Sequence, residues 1–327
     1  TTLFRGTLHY DKLIGALALA NLTKKHAFLK NDEISLDIML GAYFQYALSY
    51  FIDKGEFWSV GLSAKQHQFD TTAPVSLNTD QFAISKPTNT RVLVQKNTWY
   101  VQTLFREEVV LGVGLAHQHN VFKTNLFDTQ TARFLYTDNA DYYSVLGYLK
   151  VDTRDDKFYP KKGGFFDGDI NYYFSEKSSR EDINFTPFLI AKANMGAILP
   201  LDSKWSLLLS TSGGFTVGDA TSSAFDFTFG GYGNAPVLNY QTFIGLPQQH
   251  AAGDSFVKAE TTIDYEFTPK HHVKMILNGG IVSTDIFKTG QWKRDIDYYS
   301  AGMAYGLETF AGPLELTAAY SPQFGRL

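Results

Sequence analysis

From Ser255 to Phe267 the chain reads SFVKAETTIDYEF. Val257, Ala259, Thr261, Ile263, Tyr265 and Phe267 fall on one alternate face, and Lys258, Glu260, Thr262, Asp264 and Glu266 fall on the other. A period of two is the signature of a β-strand, whose successive side chains point to opposite faces. A soluble sandwich strand is shorter and fills its inner face with branched aliphatics. Here the strand is long and the second face is almost wholly charged, which is the pattern of a transmembrane β-barrel strand with lipid on one side and a polar lumen on the other.

Composition agrees with a barrel. Of 327 residues, 44% are hydrophobic and 15% aromatic, with 27 Phe and 19 Tyr, residues suited to strands and to interfacial girdles. No window approaches the roughly 18 uninterrupted apolar residues of a membrane helix, so any crossing falls to strands. A net charge of −4 without a basic run argues against a nucleic-acid partner. The absence of cysteine excludes disulfides and cysteine-based metal sites. The start, TTLFRGTLHYDK, has no charged segment leading into an apolar one, so the chain is expected to be a mature or truncated piece.

Working outward, alternation and turn residues predict fifteen strands. The first four lie near residues 4–10, 13–21, 34–40 and 44–52, and the fifth carries Trp58, Val60, Leu62 and Ala64. A Thr/Pro/Asn-rich stretch, 70–90, reads as a long loop before strands at 91–106 and 109–119, and 120–141 reads as another. The eighth and ninth strands set Lys150, Asp152 and Arg154 against Asp167, Asp169 and Asn171 on polar faces that should meet. Between them DTRDDKFYPKKGG, with Asp155, Pro160, Gly163 and Gly164, predicts a tight polar turn. Strands follow at 187–199 and 205–215. The longest irregular region, 216–254, then precedes the opening stretch as strand twelve. A run of that length needs a function or a cavity to lie in. Three more strands, 272–282, 298–310 and 313–320, complete the count. Connections alternate long and short, as extracellular loops and periplasmic turns do, which puts the N-terminus in the periplasm. Bacterial barrels have even strand numbers, so a sixteenth strand is expected beyond Leu327.

The turn DTRDDKFYPKKGG with FFDGD after it resembles the Asp-x-Arg-Asp … Pro-x-x-Gly hairpin of Omp85-superfamily barrels, which implies sixteen strands. LHYDKL (8–13), FLKNDEISLDIMLG (28–41), YFIDKGEFWSVG (50–61) and YGLETFAGPLELTAAYSP (305–322) look like the C-terminal barrel of patatin-like phospholipases of the Bacteroidetes/Flavobacteria group. That resemblance implies one outer-membrane barrel domain over 1–327 in a Gram-negative cell, with a patatin lipase and a POTRA-like domain upstream. It further implies outer-membrane lipid and lipopolysaccharide as surroundings, and leaves a homodimer open. Omp85 barrels carry an Arg-Gly-Phe/Tyr tripeptide in the loop before strand twelve. This chain has Phe229-Gly230-Gly231-Tyr232-Gly233 there and no arginine in the loop, which puts an insertase or secretion-pore mechanism in doubt.

No catalytic residue, cofactor or metal is assigned. A Gly-x-Ser-x-Gly nucleophile motif is absent, and Gly230 to Gly233 do not open a helix as a phosphate loop would. His117 and His119 share a strand face without a third ligand, and a polar lumen accounts for them. His271-His272 reads as a turn. Lys150, Asp152, Arg154, Asp155, Asp167 and Asp169 read as a salt-bridge network in the wall, with Lys150 or Arg154 as partner to Asp167 and Asp169. Lys258, Glu260, Asp264 and Glu266 read as the wall that holds the long loop. Three functions follow: an anchor and export conduit for a fused phospholipase, an Omp85-type translocation or assembly barrel, or a porin-like barrel.

Overall fold

Alternating faces become one antiparallel wall in the computed structural model, which describes residues 2–11, 15–41, 44–55, 58–79, 82–105, 108–128, 133–178, 185–220, 222–231, 239–247, 250–309 and 312–326. The strands are β1 (Thr2–Asp11), β2 (Gly15–Lys25), β3 (Asp32–Leu40), β4 (Phe44–Ile52), β5 (Ser59–Thr79), β6 (Phe82–Phe105), β7 (Val109–Asp128), β8 (Arg133–Asp152), β9 (Gly163–Ser178), β10 (Phe188–Pro200) and β11 (Trp205–Val217). Three short strands stand apart from the wall, β12 (Phe227–Phe229), β13 (Tyr240–Gln241) and β14 (Ala251–Gly253). The wall then continues through β15 (Ser255–Thr268), β16 (His271–Ser283), β17 (Tyr298–Thr309) and β18 (Gly312–Ser321). Each wall strand pairs with its neighbour in chain order, so the connections are hairpins with no crossover. The two-residue β19 (Gly325–Arg326) pairs back onto Tyr320 and Ser321 and takes the sixteenth place in the order, where the sequence put that strand beyond Leu327. Among the described residues no pairing joins β1 to β18 or β19.

Side-chain direction follows the predicted parity. On β15, Phe256, Lys258 and Thr262 are buried inside, and Ala259 and Phe267 are exposed outside. On β11, Trp205, Leu209, Phe215 and Val217 are exposed, and Ser206 is buried. Trp205 and Phe215 bracket the outer face of that strand, a span close to the 9–11 residues or so that a tilted membrane strand needs. At the Trp205 end a girdle of rings gathers outside, with Trp205 stacked on Tyr265 at 4.2 Å and Tyr305 bonded to His271. Inside, glycines admit rings: the Tyr100 ring lies over Gly61, and a β-carbon there would sit 2.1 Å from it. Tyr148 covers Gly112 in the same way, so bulk comes from the neighbouring strand.

Two expected loops are largely strand. β5 and β6 pair from Ser59↔Gln102 out to Thr79↔Phe82, so the polar stretch 70–90 continues the ladder. β7 and β8 pair as far as Asp128↔Arg133, across irregularities near Lys123. Thr- and Asn-rich composition suggested loops, but once two chains leave the membrane edge already in register, backbone pairing continues beyond it. The long connection after β16 contains a short helix, α1 (Ile286–Thr289).

Candidate functional site

The long segment between β11 and β15 folds into the lumen. Apolar spacing in SAFDFTF puts Phe225, Phe227 and Phe229 on one side, and all three are buried. They pack with Phe243 and Leu246 of the same segment against Tyr142, Tyr173, Phe188, Ile190, Phe256 and Val282 of the wall. Phe225 meets Tyr142 and Tyr173 edge-on, each at 4.8 Å, and Phe188 at 5.0 Å. β12 is the centre of a three-stranded sheet, parallel to β13 and antiparallel to β14, so the inserted backbone bonds to itself. Gly230 and Gly231 have φ of 144° and 64°, values that favour glycine, and allow the turn in which the Phe243 N–H reaches both their carbonyls. The Tyr240 hydroxyl donates to the Gly230 carbonyl. Tyr232 and Gly233 of the glycine-rich motif lie outside the described residues.

Wall and loop are joined by polar contacts. Lys258 Nζ donates to the Thr242 carbonyl at 2.7 Å and pairs with Glu260 at 2.9 Å. On β8 the buried Asp138 carboxylate accepts from Ser222 of the loop at 2.7 Å, and from Tyr142 and Asn120. The loop supplies no arginine, so a wall lysine reaching a loop carbonyl performs the tethering. Lys258→Met is expected to cost roughly 1–3 kcal/mol, the range for leaving a buried partner unpaired, and to raise protease cleavage within 218–254 with the barrel intact. Unchanged cleavage would show that aromatic packing alone seats the loop.

The loop also carries a titrating group. Burial, and then the charge of Asp254, push the Asp226 carboxyl up to about 6. Below about pH 4 that carboxyl is protonated whether the loop is seated or free, and as pH rises through about 6 the seated group ionises against its surroundings. Loop seating should therefore weaken between those values. Amide exchange in β12 should speed up over that window, and Asp226→Asn should flatten the profile.

At the opposite end the turn after β8 folds inward too. The Asp155 carboxylate accepts the N–H groups of Lys161 at 2.9 Å and Lys162 at 3.2 Å, and backbone donors hold its pKa down. Asp156 accepts from Phe158 and Tyr159. Gly163, at φ 109°, turns the chain out, and a β-carbon there would meet the Thr153 carbonyl at 2.3 Å. So tightened, the turn drives Tyr159 into the lumen, where its ring stacks on His272 at 3.9 Å under Lys274. His272 is buried and bridges Asp264 at 3.0 Å and Glu308 at 3.0 Å. Lys161 Nζ pairs with Glu266 at 2.5 Å, and the Pro160 carbonyl accepts from Ser206 at 3.3 Å. The turn thus spans to β11, β15 and β16.

The expected network separates into local pairs. Lys150 meets Asp167 at 3.1 Å, whereas Asp169 meets Lys192 of β10 at 3.7 Å and Asn171 at 2.7 Å. Arg154 does not reach either acid. It folds back on Asp152 at 2.7 Å and covers the Phe165 ring, because the turn bends away from the ladder at that residue. Gly164 accepts and donates with Thr153, closing the hairpin.

The sequence profile of the OMP85 superfamily matches residues 1–326. The chain belongs to the Omp85 superfamily. Among solved structures, BamA from Haemophilus ducreyi lacking POTRA domains 1–3 is similar with a TM-score of 0.72 at 13% identity, over 98% of this chain and 67% of that one. CdiB from Escherichia coli has a TM-score of 0.64 at 13% identity, and CdiB from Acinetobacter baumannii 0.59 at 15%. This chain spans 58% and 55% of the length of those two CdiB chains. No curated protein matches it in sequence. The protein is a Gram-negative outer-membrane β-barrel of Omp85 type.

Two histidine readings are corrected in this Omp85 barrel. His117 and His119 share the outer parity of Leu111, Val113 and Leu115, so they lie on the outside of the wall and not in the lumen. They contact Asp141 at 2.7 and 3.1 Å. They lie just beyond the exposed apolar run of β7, where a polar side chain no longer faces hydrocarbon. His271 and His272 begin β16 rather than form a turn, and His272 is the hub of the inner cluster. Sequence reasoning also missed Tyr159, Asp138, Lys192 and Glu308. Only Tyr159 had a signal, its place beside Pro160 in the turn motif.

Proposed function

We propose that the chain is the barrel of a two-part exported protein, anchoring and exporting a fused patatin-like phospholipase through a POTRA-like linker, both encoded upstream of Thr1. The observation that carries this reading is that the chain itself enters the lumen from both ends, at one end with Phe225, Phe227, Phe229, Phe243 and Leu246 and at the other with Tyr159. A barrel packed in this way serves as an anchor and regulated conduit, with the chemistry carried by another domain. The four segments resembling patatin-associated barrels support the lipase as passenger. In this orientation the inserted loop enters from outside and the Tyr159 turn from the periplasm, following the usual asymmetry of loop lengths. Membrane lipid and lipopolysaccharide surround the wall.

The test is to sequence and express the gene with its upstream region. A Gly-x-Ser-x-Gly motif, with phospholipase activity in the outer-membrane fraction that is lost when residues 1–327 are deleted, supports the proposal. POTRA repeats without a lipase favour the second reading, a translocation or assembly barrel, for which the likeness of the wall to BamA and CdiB is the specific support. High solute flux through the reconstituted barrel would favour a porin and count against both.

A further inference from the structure

Against the inserted loop lies a cavity of about 850 Å³, bounded by strands β3 to β10 and by Phe225 and Asn239 of the loop. Four lysines line it: Lys65, Lys96, Lys150 and Lys192. Two are matched, Lys150 by Asp167 and Lys192 by Asp169. The other two stand directly opposite each other in the β5–β6 ladder, Lys65↔Lys96. Residues so paired have β-carbons about 4.5–5.5 Å apart, and like charges there are destabilising. Among the described residues neither ammonium has a carboxylate within 4.0 Å. Asp37, the remaining acid of the cavity, is two strands from Lys65 and is engaged by the Asn21 amide at 2.6 Å. The surrounding polar side chains include Ser49, Ser63, His67 and Thr98, able to donate to an anion, while Tyr148 donates to Gln102 at 2.7 Å.

We propose that the Lys65–Lys96 pair binds a small oxyanion of the phosphate class inside the lumen. Two ammonium groups on one wall, with neutral donors around them and the neighbouring lysines already neutralised, form a site for a compact, strongly charged acceptor. Phosphate fits this description because the residues two places along the same strand faces, Ser63 and His67 beside Lys65 and Thr98 beside Lys96, are polar groups that can donate to an oxyanion.

The experiment uses the full chain folded in detergent micelles, titrated with inorganic phosphate by calorimetry at constant ionic strength. Saturable binding is expected, weakened about tenfold in Lys96→Gln, as loss of a charge-assisted hydrogen bond implies, and lost when Lys65→Gln is added. Lys288→Gln on the exposed α1 segment should change nothing. As a second reading on the unaltered chain, phosphate should slow acetylation of Lys65 and Lys96, followed by mass spectrometry, and leave Lys288 unaffected. Heat no greater than that from sodium chloride, equal binding by the variants, or equal protection by chloride overturns the proposal. The acetylation measurement decides the matter even if the double variant fails to fold, and neither measurement depends on a fused lipase.

Discussion

Phe225→Ala is expected to cost about 3–5 kcal/mol, the range for deleting a well-packed aromatic from a core, and to unseat the loop without dissolving the wall. Phe225 is 2% exposed and lies at the meeting point of Tyr142, Tyr173 and Phe188, each from a different wall strand. Removing its ring leaves a void bounded by those three aromatics, which cannot collapse because each is fixed in a hydrogen-bonded ladder. The wall keeps its own backbone bonds. Heat-resistant migration in electrophoresis should therefore survive, while conductance of the reconstituted barrel rises and protease reaches residues 218–254. Wild-type conductance in the variant would mean that the loop does not close the lumen.

Ile263→Lys is expected to hinder membrane folding by roughly 2–4 kcal/mol, the cost of a cation on the lipid face near the bilayer centre. Ile263 pairs with Leu207 of β11 and Met275 of β16, both on the outward face, so no polar neighbour can take up the charge. The control is Ser210→Lys, in the next strand, whose side chain points into the lumen beside Glu260. There a cation gains an acidic neighbour directly across the ladder. Folding yields into vesicles, read over a denaturant series, should separate the two. Equal yields would show that the inside and outside of the wall have been exchanged.

Most of the wall was legible in residue order. Strand type and face come from period two, which depends on backbone geometry alone, and Val257 to Phe267 kept the sides that parity assigned. Hairpin order followed from turn residues, and in the turn after β10 the Asp202 carboxylate accepts the Lys204 N–H at 2.8 Å, which holds its pKa down. Strand ends were less legible. In 70–90 and 120–141 the composition of a loop and of a solvated strand is the same, and only pairing with a neighbour distinguishes them.

The candidate site divides along the same line. Period and turn chemistry placed Asp167, Asp169, Lys258 and Glu266 on the inner face, because facing is a local property. Which of them touch was decided by curvature of the wall, which brings residues far apart in the chain within bonding distance. Lys161 meets Glu266 and Tyr159 stacks on His272 across more than a hundred residues, and no local spacing encodes either contact. Facing was settled by the amino-acid sequence; filling of the lumen was settled by tertiary structure, because a loop enters a barrel only when the opposite wall offers rings and donors to receive it.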